Sequence, residues 1–474
     1  MIISNVISWH TYSIPIGIPS MNMTQKLNIV ALLFFLATTT IVAQEKWTLD
    51  DCVTYALGHN LQMNDFKYTE QSGRETYRQS IRNMLPNING FSNYNIRFGR
   101  SVDPNDNSIV TTDFFSNNYS IEANMDLFQG FQKLNTIKAS KFLYKATKEE
   151  AQHQKYLLAF RVMQAFYDIQ FYEGLLAIST EQQSVSQSNY DLVKKQIELG
   201  LKARADLYEA ESLLLTDKLN VTQSENKLIA AKLILIQEMN LEGVSDISVQ
   251  TEITKKIPFS KSSELQSDSI FAEAKNFIPL IKAQELRTKA AKKQVAVARG
   301  DLYPSLSLFG GYGTGFFETT RDSLGTTLPF RDQFRDNTFQ FVGVSLRVPI
   351  SNGWSGRSKV KQQKIEYLRA QNNLDVQEQE LFKAIQLLVQ EHSALAVEYE
   401  QSTQKMEAQN LAFAIAQKRY EKGLINALEL FTAKNLFASA QNENLQVRLR
   451  SEVNKSTLGF YRGLPVFNIN DPGQ

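Results

Sequence analysis

The chain has 474 residues, of which 43% are hydrophobic, 21% charged and 11% aromatic, an ordinary composition for a folded protein of two or three domains. The net charge of +2 gives no reason to expect nucleic acid as a partner. No apolar run reaches the roughly 18 residues that a transmembrane helix needs, and a single cysteine excludes an intrachain disulfide.

Residues 1–43 predict a secretory signal peptide. A lysine precedes the apolar run Leu27–Ala37, and small residues then lead to Ala43, which is the order of charge, apolar segment and cleavage site in such signals. Residues 1–20 do not fit this order, which indicates a start codon assigned too far upstream. Cys52 follows within a helical pattern, so we expect a packed thiol rather than a lipid anchor.

The two halves of the remaining chain resemble each other, which indicates a duplicated unit. At an offset of 223 residues the register holds without a gap for about 80 residues. The coinciding pairs include Gly130 with Gly353, Lys138 with Lys361, Lys141 with Lys364, and Gly200-Leu201 with Gly423-Leu424. Upstream the offset is 218, as for Pro86 and Pro304, so we expect five inserted residues between Pro304 and Gly353.

Each half predicts the same order of elements: a helix, two strands and a long helical hairpin. The units span residues 44–240 and 265–463, with a linker at 241–264 and a tail at 464–474. The first unit is predicted to contain helix 48–84, strands 87–98 and 117–128, and hairpin 131–240. The second is predicted to contain helix 266–300, strands 305–317 and 338–350, and hairpin 354–462.

The predicted strands alternate between apolar and polar residues. Ile88, Tyr94 and Ile96 alternate with polar side chains in the first strand, as do Val342 and Val344 in the last. Successive residues point to opposite faces, so each strand has one apolar face. Each is about ten residues long, enough to cross a bilayer at a tilt. A half-buried soluble sheet gives the same alternation, but the signal peptide and the long helices favour membrane strands.

The sequence predicts unusually long helices in the two hairpins. Residues 131–199 and 354–422 contain no proline, and a helix of that size would be about 100 Å long. Helices of this length indicate a coiled coil or helical repeat rather than a globular core.

The two hairpin turns carry capping signals. Each long helix ends at a glycine, Gly200 or Gly423, the residue best suited to a left-handed C-cap. Each return helix has an acid in its first turn, Asp206 or Glu429. Asn426 and Glu429 fit a capping box, in which each side chain would bind the other residue's backbone N–H. These residues could serve as helix caps without any further function.

No catalytic, metal or cofactor site is predicted. The four histidines lack zinc-ligand spacing, and no Walker loop is present, so a partner would have to supply energy. The glycine-rich segment Gly310–Gly315 is similar to a phosphate-binding loop. It lies inside an alternating strand, however, where glycine more often permits close packing.

Together these features resemble the TolC-type outer-membrane factor family. The resemblance rests on the segment Trp47–Leu57, on the strand starts at 85–88 and 303–306, and on a Gly-Leu pair followed by an acid-Leu pair in both hairpin turns. It covers essentially all of residues 46–463 and includes the duplication. The order and spacing of the motifs are more specific than any one of them.

The resemblance implies a mixed α and β fold that functions as a homotrimer. Three chains would build one twelve-stranded transmembrane β-barrel in outer-membrane lipid, continued into the periplasm by a tunnel of helical hairpins. The linker 241–264 would lie in its equatorial region. Physical reasoning agrees in part, because four strands cannot close a barrel and unpaired strand edges cannot be left in lipid. The implied function is a passive conduit, not an enzyme.

The resemblance also implies roles for the hairpin turns. The residues expected to contact a periplasmic membrane-fusion adaptor, which couples the channel to an inner-membrane pump, are Gly200, Leu201, Gly423 and Leu424. Asp206 and Glu429 are expected at the channel constriction. Ile425 stands where some members carry an arginine latch and Thr432 where a second acid is expected. The gate is therefore expected to be less acidic and differently latched.

Two classes of function remain open from the sequence. The first is the outer-membrane channel of a tripartite efflux or type I secretion system, whose cargo the sequence does not identify because a conduit makes few specific contacts with it. The lack of Met/His clusters disfavours metal as the cargo. The second is a periplasmic coiled-coil structural or adhesin-like protein without a pore.

Overall fold

The computed structural model describes residues 46–102, 107–111, 113–250 and 266–467. The predicted signal peptide lies outside these ranges, as do most of the linker 241–264 and of the tail 464–474. None of the described helices combines the length and the apolar character required to cross a membrane.

The described residues form nine helices and six strands. The helices are α1 (Leu49–His59), α2 (Leu61–Arg82), α3 (Gln132–Glu198), α4 (Arg204–Met239), α5 (Ser267–Phe277), α6 (Pro279–Gly300), α7 (Phe330–Asp336), α8 (Ser355–Glu421) and α9 (Ala427–Tyr461). The strands are β1 (Asn87–Arg97), β2 (Ser101–Val102), β3 (Ile109–Val110), β4 (Phe114–Gln129), β5 (Ser305–Phe317) and β6 (Phe339–Arg347). The predicted mixed α and β fold is confirmed.

The prediction of single helices over 48–84 and 266–300 is wrong, because each is divided into two. Asn60 leaves the helical conformation, and its side-chain oxygen accepts a 2.9 Å hydrogen bond from Gln62 N, which caps α2. At the equivalent place in the second unit, Ile278 is extended and Pro279 begins α6, a position that proline favours because its missing N–H is not needed there.

The long helices have the predicted length. α3 and α8 contain 67 residues each, or about 100 Å at 1.5 Å per residue. Their return helices α4 and α9 are about half as long, with 36 and 35 residues. Beyond the ends of the return helices, α2 and α6 pack against α3, and α6 also packs against α8. In each unit, the long helix therefore packs against its return helix along about half of its length and against shorter helices along the rest.

The seam of α4 follows a heptad pattern. Six of its eight buried residues recur in steps of four, three, seven, seven and four residues: Ala210, Leu214, Asp217, Ser224, Ala231 and Leu235. Spacing of this kind keeps one stripe facing a partner helix along its whole length. The partner is α3, which α4 contacts extensively.

The hydrophobic core lies where the shorter helices meet the long ones. Ile281 of α6, Ile385 of α8 and Leu458 of α9 are among its buried members. Cys52 is fully buried on α1, and burial raises the pKa of its thiol to about 12. The predicted packed thiol is confirmed.

The main sheet is antiparallel with strand order β1-β4-β5-β6. Its register brings the predicted apolar runs onto a single face, which carries Ile88, Tyr94, Ile96, Ile121, Met125, Leu306, Leu308, Tyr312, Val342, Val344 and Leu346. Most of these side chains are exposed in the isolated chain, Val342 to 83%. The opposite face includes a row of asparagines. β1 and β6 are the edges of this sheet.

The strand bounds differ slightly from prediction. β4 begins three residues earlier than predicted and β6 ends at Arg347, two residues before Pro349, which has no N–H to donate to a ladder. The β5–β6 connection has 21 residues (318–338) against 16 (98–113) between β1 and β4. The inferred five-residue insertion therefore lies in this connection, which also contains α7.

A buried glutamine fixes α7 onto the end of β5. Gln333 is 1% exposed. Its Oε1 accepts a 3.0 Å bond from Phe317 N, and its Nε2 donates to Phe317 O at 3.0 Å and Leu328 O at 2.9 Å. Since all three bonds involve backbone groups, this side chain replaces a missing strand partner.

The glycines of β5 and β6 permit close approach of aromatic rings, as expected for β5. A Cβ on Gly311 would lie 2.8 Å from the Phe341 ring of β6, and one on Gly343 would lie 2.5 Å from the Phe309 ring. The glycine-rich segment is part of a strand rather than a phosphate-binding loop.

Candidate functional site at the hairpin tips

The first hairpin turn is a Schellman motif. Gly200 has φ of +74°, and its N–H donates to Ile197 O at 2.9 Å while Leu201 N donates to Gln196 O at 2.8 Å. These are the two bonds that define this C-cap. Leu201 is 71% exposed, so the turn is rigid in its backbone and presents an apolar side chain to solvent.

The second turn repeats this geometry. Gly423 has φ of +72°, and its N–H donates to Tyr420 O at 2.8 Å while Leu424 N donates to Arg419 O at 2.9 Å. Leu424 is 65% exposed. The duplication is thus conserved in backbone conformation as well as in sequence between the two units.

The two predicted constriction acids lie at equivalent places, in the first turns of α4 and α9. Asp206 Oδ2 accepts a 3.1 Å bond from Ala203 N. Asn426 Oδ1 accepts a 2.8 Å bond from Glu429 N, but within the described residues the predicted return bond to the Glu429 carboxylate is absent. Glu429 is exposed, and in the described chain no hydrogen bond or ion pair joins it to Asp206.

Ile425 and Thr432, the two positions that depart from the expected pattern, lie in different environments. Ile425 packs against a buried cluster formed by Phe413, Tyr420, Leu430 and Phe437. Thr432 is exposed, and its hydroxyl donates to Leu428 O at 2.8 Å. Ile425 thus stabilises the second hairpin internally.

One contact at the tips joins the two hairpins. Lys202, in the turn of the first hairpin, donates to the Tyr420 hydroxyl at 3.3 Å, and its ammonium lies 5.0 Å from the centre of that ring. Tyr420 belongs to α8 and is 7% exposed. The first turn is therefore fastened to the side of the second hairpin.

A buried ion pair joins the hairpins beyond the tips. Lys434 of α9 binds Asp217 of α4, with side chains 2% and 3% exposed. Ser186 of α3 completes the group: its hydroxyl donates to Asp217 Oδ2 at 2.6 Å and lies 2.7 Å from Lys434 Nζ. Burial lowers the pKa of Lys434, and the bond to Asp217 opposes that change.

Lys202, Tyr420, Lys434 and Asp217 were not predicted as site residues. A signal was available for Asp217, because it occupies a buried position of the α4 heptad seam. The contact of Lys202 with Tyr420 has no comparable sequence signal. Among the described residues, no group of three or more His, Cys, Asp or Glu side chains is placed to hold a metal ion.

Comparison with known proteins gives consistent matches. A family model described as outer membrane efflux protein matches residues 53–240 and 272–463, one segment for each unit. The outer membrane protein TolC of Vibrio cholerae serotype O1 is 24% identical over 296 residues, which span 62% of each chain. The cation efflux system protein CusC of Escherichia coli K12 is 21% identical over 411 residues, 86% of this chain and 84% of that one.

A solved structure shows the same fold. The CmeC outer membrane channel of Campylobacter jejuni superposes with a TM-score of 0.74 at 14% identity. The match covers 89% of this chain and 87% of that one.

Proposed function

This chain belongs to the outer membrane efflux protein family, and we propose that it is the outer-membrane channel subunit of a tripartite efflux or type I secretion system. It is an outer-membrane protein that extends into the periplasm, and it is a passive conduit rather than an enzyme. A periplasmic adaptor and an inner-membrane pump supply the energy and the cargo.

The sheet carries this proposal. One of its faces is apolar and exposed in the single chain, and the other includes a row of asparagines. Each of its edge strands, β1 and β6, is paired on one side only among the described strands, so one edge of each is left open. Unpaired backbone groups are costly in lipid, so closure requires other copies of the chain. Three copies give a twelve-stranded barrel with an apolar exterior, and six long helices continue it on one side.

The hairpin turns suit adaptor docking. Leu201 and Leu424 are exposed on turns whose backbone is fixed by Schellman bonds and by Gly200 and Gly423. An apolar side chain on a backbone that is already fixed loses less conformational entropy on binding than one on a flexible loop, which makes it an effective contact. We assign these four residues to the adaptor interface.

The acids in the first turns suit a constriction. Around a threefold axis, Glu429 and Asp206 would place two rings of carboxylates near the closed end, where they would favour cations. Ile425 and Thr432 contribute no charge there. At the tips, opening would have to release the contact between Lys202 and Tyr420, which links the two hairpins.

Conductance in planar bilayers tests the proposal. The purified trimer is expected to conduct, and Glu429→Gln is expected to change the conductance and reduce the cation preference. Glu225→Gln is the matched control, since it removes the same charge from an exposed position in the middle of α4. Unaltered behaviour of Glu429→Gln would remove Glu429 from the constriction. A trimer that never conducts would support the alternative of a periplasmic structural protein.

A further inference from the structure

A recess with a volume of about 400 Å³ lies between α3, α8 and α9. Cavities of this size hold small organic molecules. The residues that line it include Leu449 and Val453 of α9, Leu388 of α8, and five side chains of α3 between positions 164 and 172. At 1.5 Å per residue, this part of α3 is about 50 Å from the turn at Gly200. The cavity, called the interhelical recess below, is therefore separate from the hairpin tips.

Three aromatic residues of α3 line the interhelical recess: Tyr167, Phe171 and Tyr172. Each is partly exposed, and the rings of Phe171 and Tyr172 meet edge to face with their centroids 5.2 Å apart. Aromatic rings offer apolar area together with an electron-rich face that attracts cations. This wall of the recess therefore suits a ligand that is both apolar and positively charged.

A carboxylate without a cation lines the same recess. Asp168 follows Tyr167 on α3 and is partly buried. Its Oδ1 accepts a 2.8 Å bond from Gln164 Nε2, and within the described chain no cation pairs with it. Burial raises the pKa of Asp168, because a carboxylate withdrawn from water without an opposite charge is destabilised. A bound cation would remove this penalty.

Arg450 of α9 is the basic residue among the described residues that line the recess, and it is already engaged. It pairs with Glu391 at 2.9 Å and with Glu398 at 3.6 Å. Asn454 Nδ2 also donates to the Glu391 carboxylate at 3.5 Å. Of the lining residues, Asp168 and Glu391 are therefore opposed by a single guanidinium, and the recess carries a net negative charge.

A second cavity indicates which side of the helices the recess faces. Tyr167 and Leu449 line both cavities, so the two lie on opposite sides of the contact between α3 and α9. The second cavity is also lined by Thr48, Gln250 and Val466, which belong to segments outside the hairpins, whereas the recess is lined by hairpin helices alone. In the proposed tube of helices such added segments lie outside, because a conduit keeps its interior free. The recess then faces the interior.

We propose that the interhelical recess is an interior cargo site for amphiphilic organic cations. Asp168 compensates the charge of the cation, and Tyr167, Phe171 and Tyr172 contact its apolar part. Because the carboxylate is only partly buried, the cargo binds weakly enough to leave, as passage through a conduit requires. The site rests on the proposed channel, because cargo reaches it only if the helices enclose a conduit.

Two organic ions of the same shape test the charge preference. The purified trimer in neutral detergent is titrated with tetraphenylphosphonium, an aromatic cation, and with tetraphenylborate, its anionic counterpart, and calorimetry records the heat beyond that of empty micelles. The cation is expected to bind at least about tenfold more tightly than the anion, the equivalent of about 1.4 kcal/mol. Equal affinity for the two ions, or no binding of the cation, would overturn the proposal.

Asp168→Asn removes the charge and keeps the shape of the side chain. The affinity for tetraphenylphosphonium is expected to fall by about threefold to tenfold, the range of a partly exposed charge pair. Asp191→Asn is the matched control on α3, because Asp191 is exposed and accepts the same kind of bond, at 3.1 Å, from Gln187 four residues earlier. Equal losses in the two variants would refute a specific role for Asp168. Phe171→Leu keeps an apolar side chain without the ring, and it is expected to weaken binding by about twofold to fivefold.

Thermal unfolding separates a ligand site from a structural role. Without ligand, Asp168→Asn is expected to unfold at the parental temperature or above it, because an uncompensated charge has been removed. A large decrease would mean that the carboxylate serves the fold, contrary to the proposal.

Conductance in planar bilayers places the site and separates the two proposals. Tetraphenylphosphonium is expected to reduce the current through the unaltered channel and to reduce it less through Asp168→Asn, because the bound cation adds positive charge to the interior. Binding that leaves the current unchanged would put the recess outside the conduit and refute the cargo site. Conducting trimers that do not bind the cation refute only the cargo site, whereas non-conducting trimers refute the channel.

Discussion

The buried ion pair between the hairpins gives the sharpest prediction. Asp217→Asn removes the carboxylate that compensates Lys434, while the Lys434 side chain stays 2% exposed between three helices. Breaking a buried pair from one side costs about 3–5 kcal/mol, because the remaining charge is left without compensation. We therefore expect Asp217→Asn to loosen the contact of α9 with α3 and α4, with the tip turns still formed by their own backbone bonds.

Native-state hydrogen exchange of the α9 amides near Lys434 measures this loss locally. At about 1.4 kcal/mol per tenfold, the expected cost corresponds to exchange faster by between about a hundredfold and a few thousandfold. Glu443→Gln is the matched control, because Glu443 pairs with Lys405 at 2.5 Å between two helices but both side chains are about half exposed. Removing that exposed pair is expected to cost about 0–1 kcal/mol.

A compensated variant separates the lost pair from general disruption. Asp217→Leu with Lys434→Met replaces both charges by apolar groups, and such replacements are often neutral or stabilising. The double variant is therefore expected to exchange near Lys434 at the parental rate or more slowly. The reasoning would be refuted if Asp217→Asn exchanged no faster than Glu443→Gln, or if the double variant were as labile as Asp217→Asn.

Three further predictions follow from single side chains. The pKa of the Cys52 thiol is about 12 in the folded protein against 9.0 for an unperturbed thiol, so its contribution to folding stability is complete below pH 9.0 and is lost as the pH rises toward 12. Denaturation midpoints should therefore fall over that range. Maleimide labelling at pH 8 should require unfolding. Gly423→Ala should cost about 1–2 kcal/mol, because alanine is disfavoured at the left-handed φ of that turn. Gly58→Ala, in an open helical position, should instead stabilise by about 0.4–1 kcal/mol, and denaturant titration measures both. Gln333→Ala should cost about 1–3 kcal/mol by leaving buried backbone groups of β5 unpaired, detected as faster amide exchange in residues 318–338.

The duplicated architecture was accessible from the sequence because its signals are local or periodic. The change of offset from 218 to 223 located an insertion that the structure places in the β5–β6 connection. Strand alternation predicted which residues share a face, since a register error of one residue would have moved the apolar side chains to the other side. The two glycine turns followed from the left-handed geometry that glycine permits.

The breaks at Asn60 and Ile278 show two different limits. Pro279 was a usable signal, because proline inside a helical pattern ends the helix at the preceding residue. Asn60 was a weak one, because asparagine occurs within helices as well as at caps. Its role depends on the acceptor geometry at Gln62 N, which only the folded backbone fixes.

The fastening of the hairpins could not have been predicted from either hairpin alone. Lys434 and Asp217 are 217 residues apart, and their pairing depends on which faces of α9 and α4 meet. The heptad position of Asp217 predicts that the carboxylate is buried and therefore requires a partner. It does not identify the partner among the 51 lysine and arginine residues of the chain.

The equal length of α3 and α8, 67 residues each, has a consequence for stoichiometry. Because each long helix ends in the same Schellman turn with an exposed leucine, the proposed adaptor interface would consist of two near-copies of one turn in each subunit. In the proposed trimer this would give six quasi-equivalent adaptor sites, although the exact symmetry of the assembly would be threefold. An adaptor with one binding mode would then be able to occupy neighbouring sites in pairs. If two such adaptors were tethered, the second attachment would become an intramolecular step with a high effective concentration.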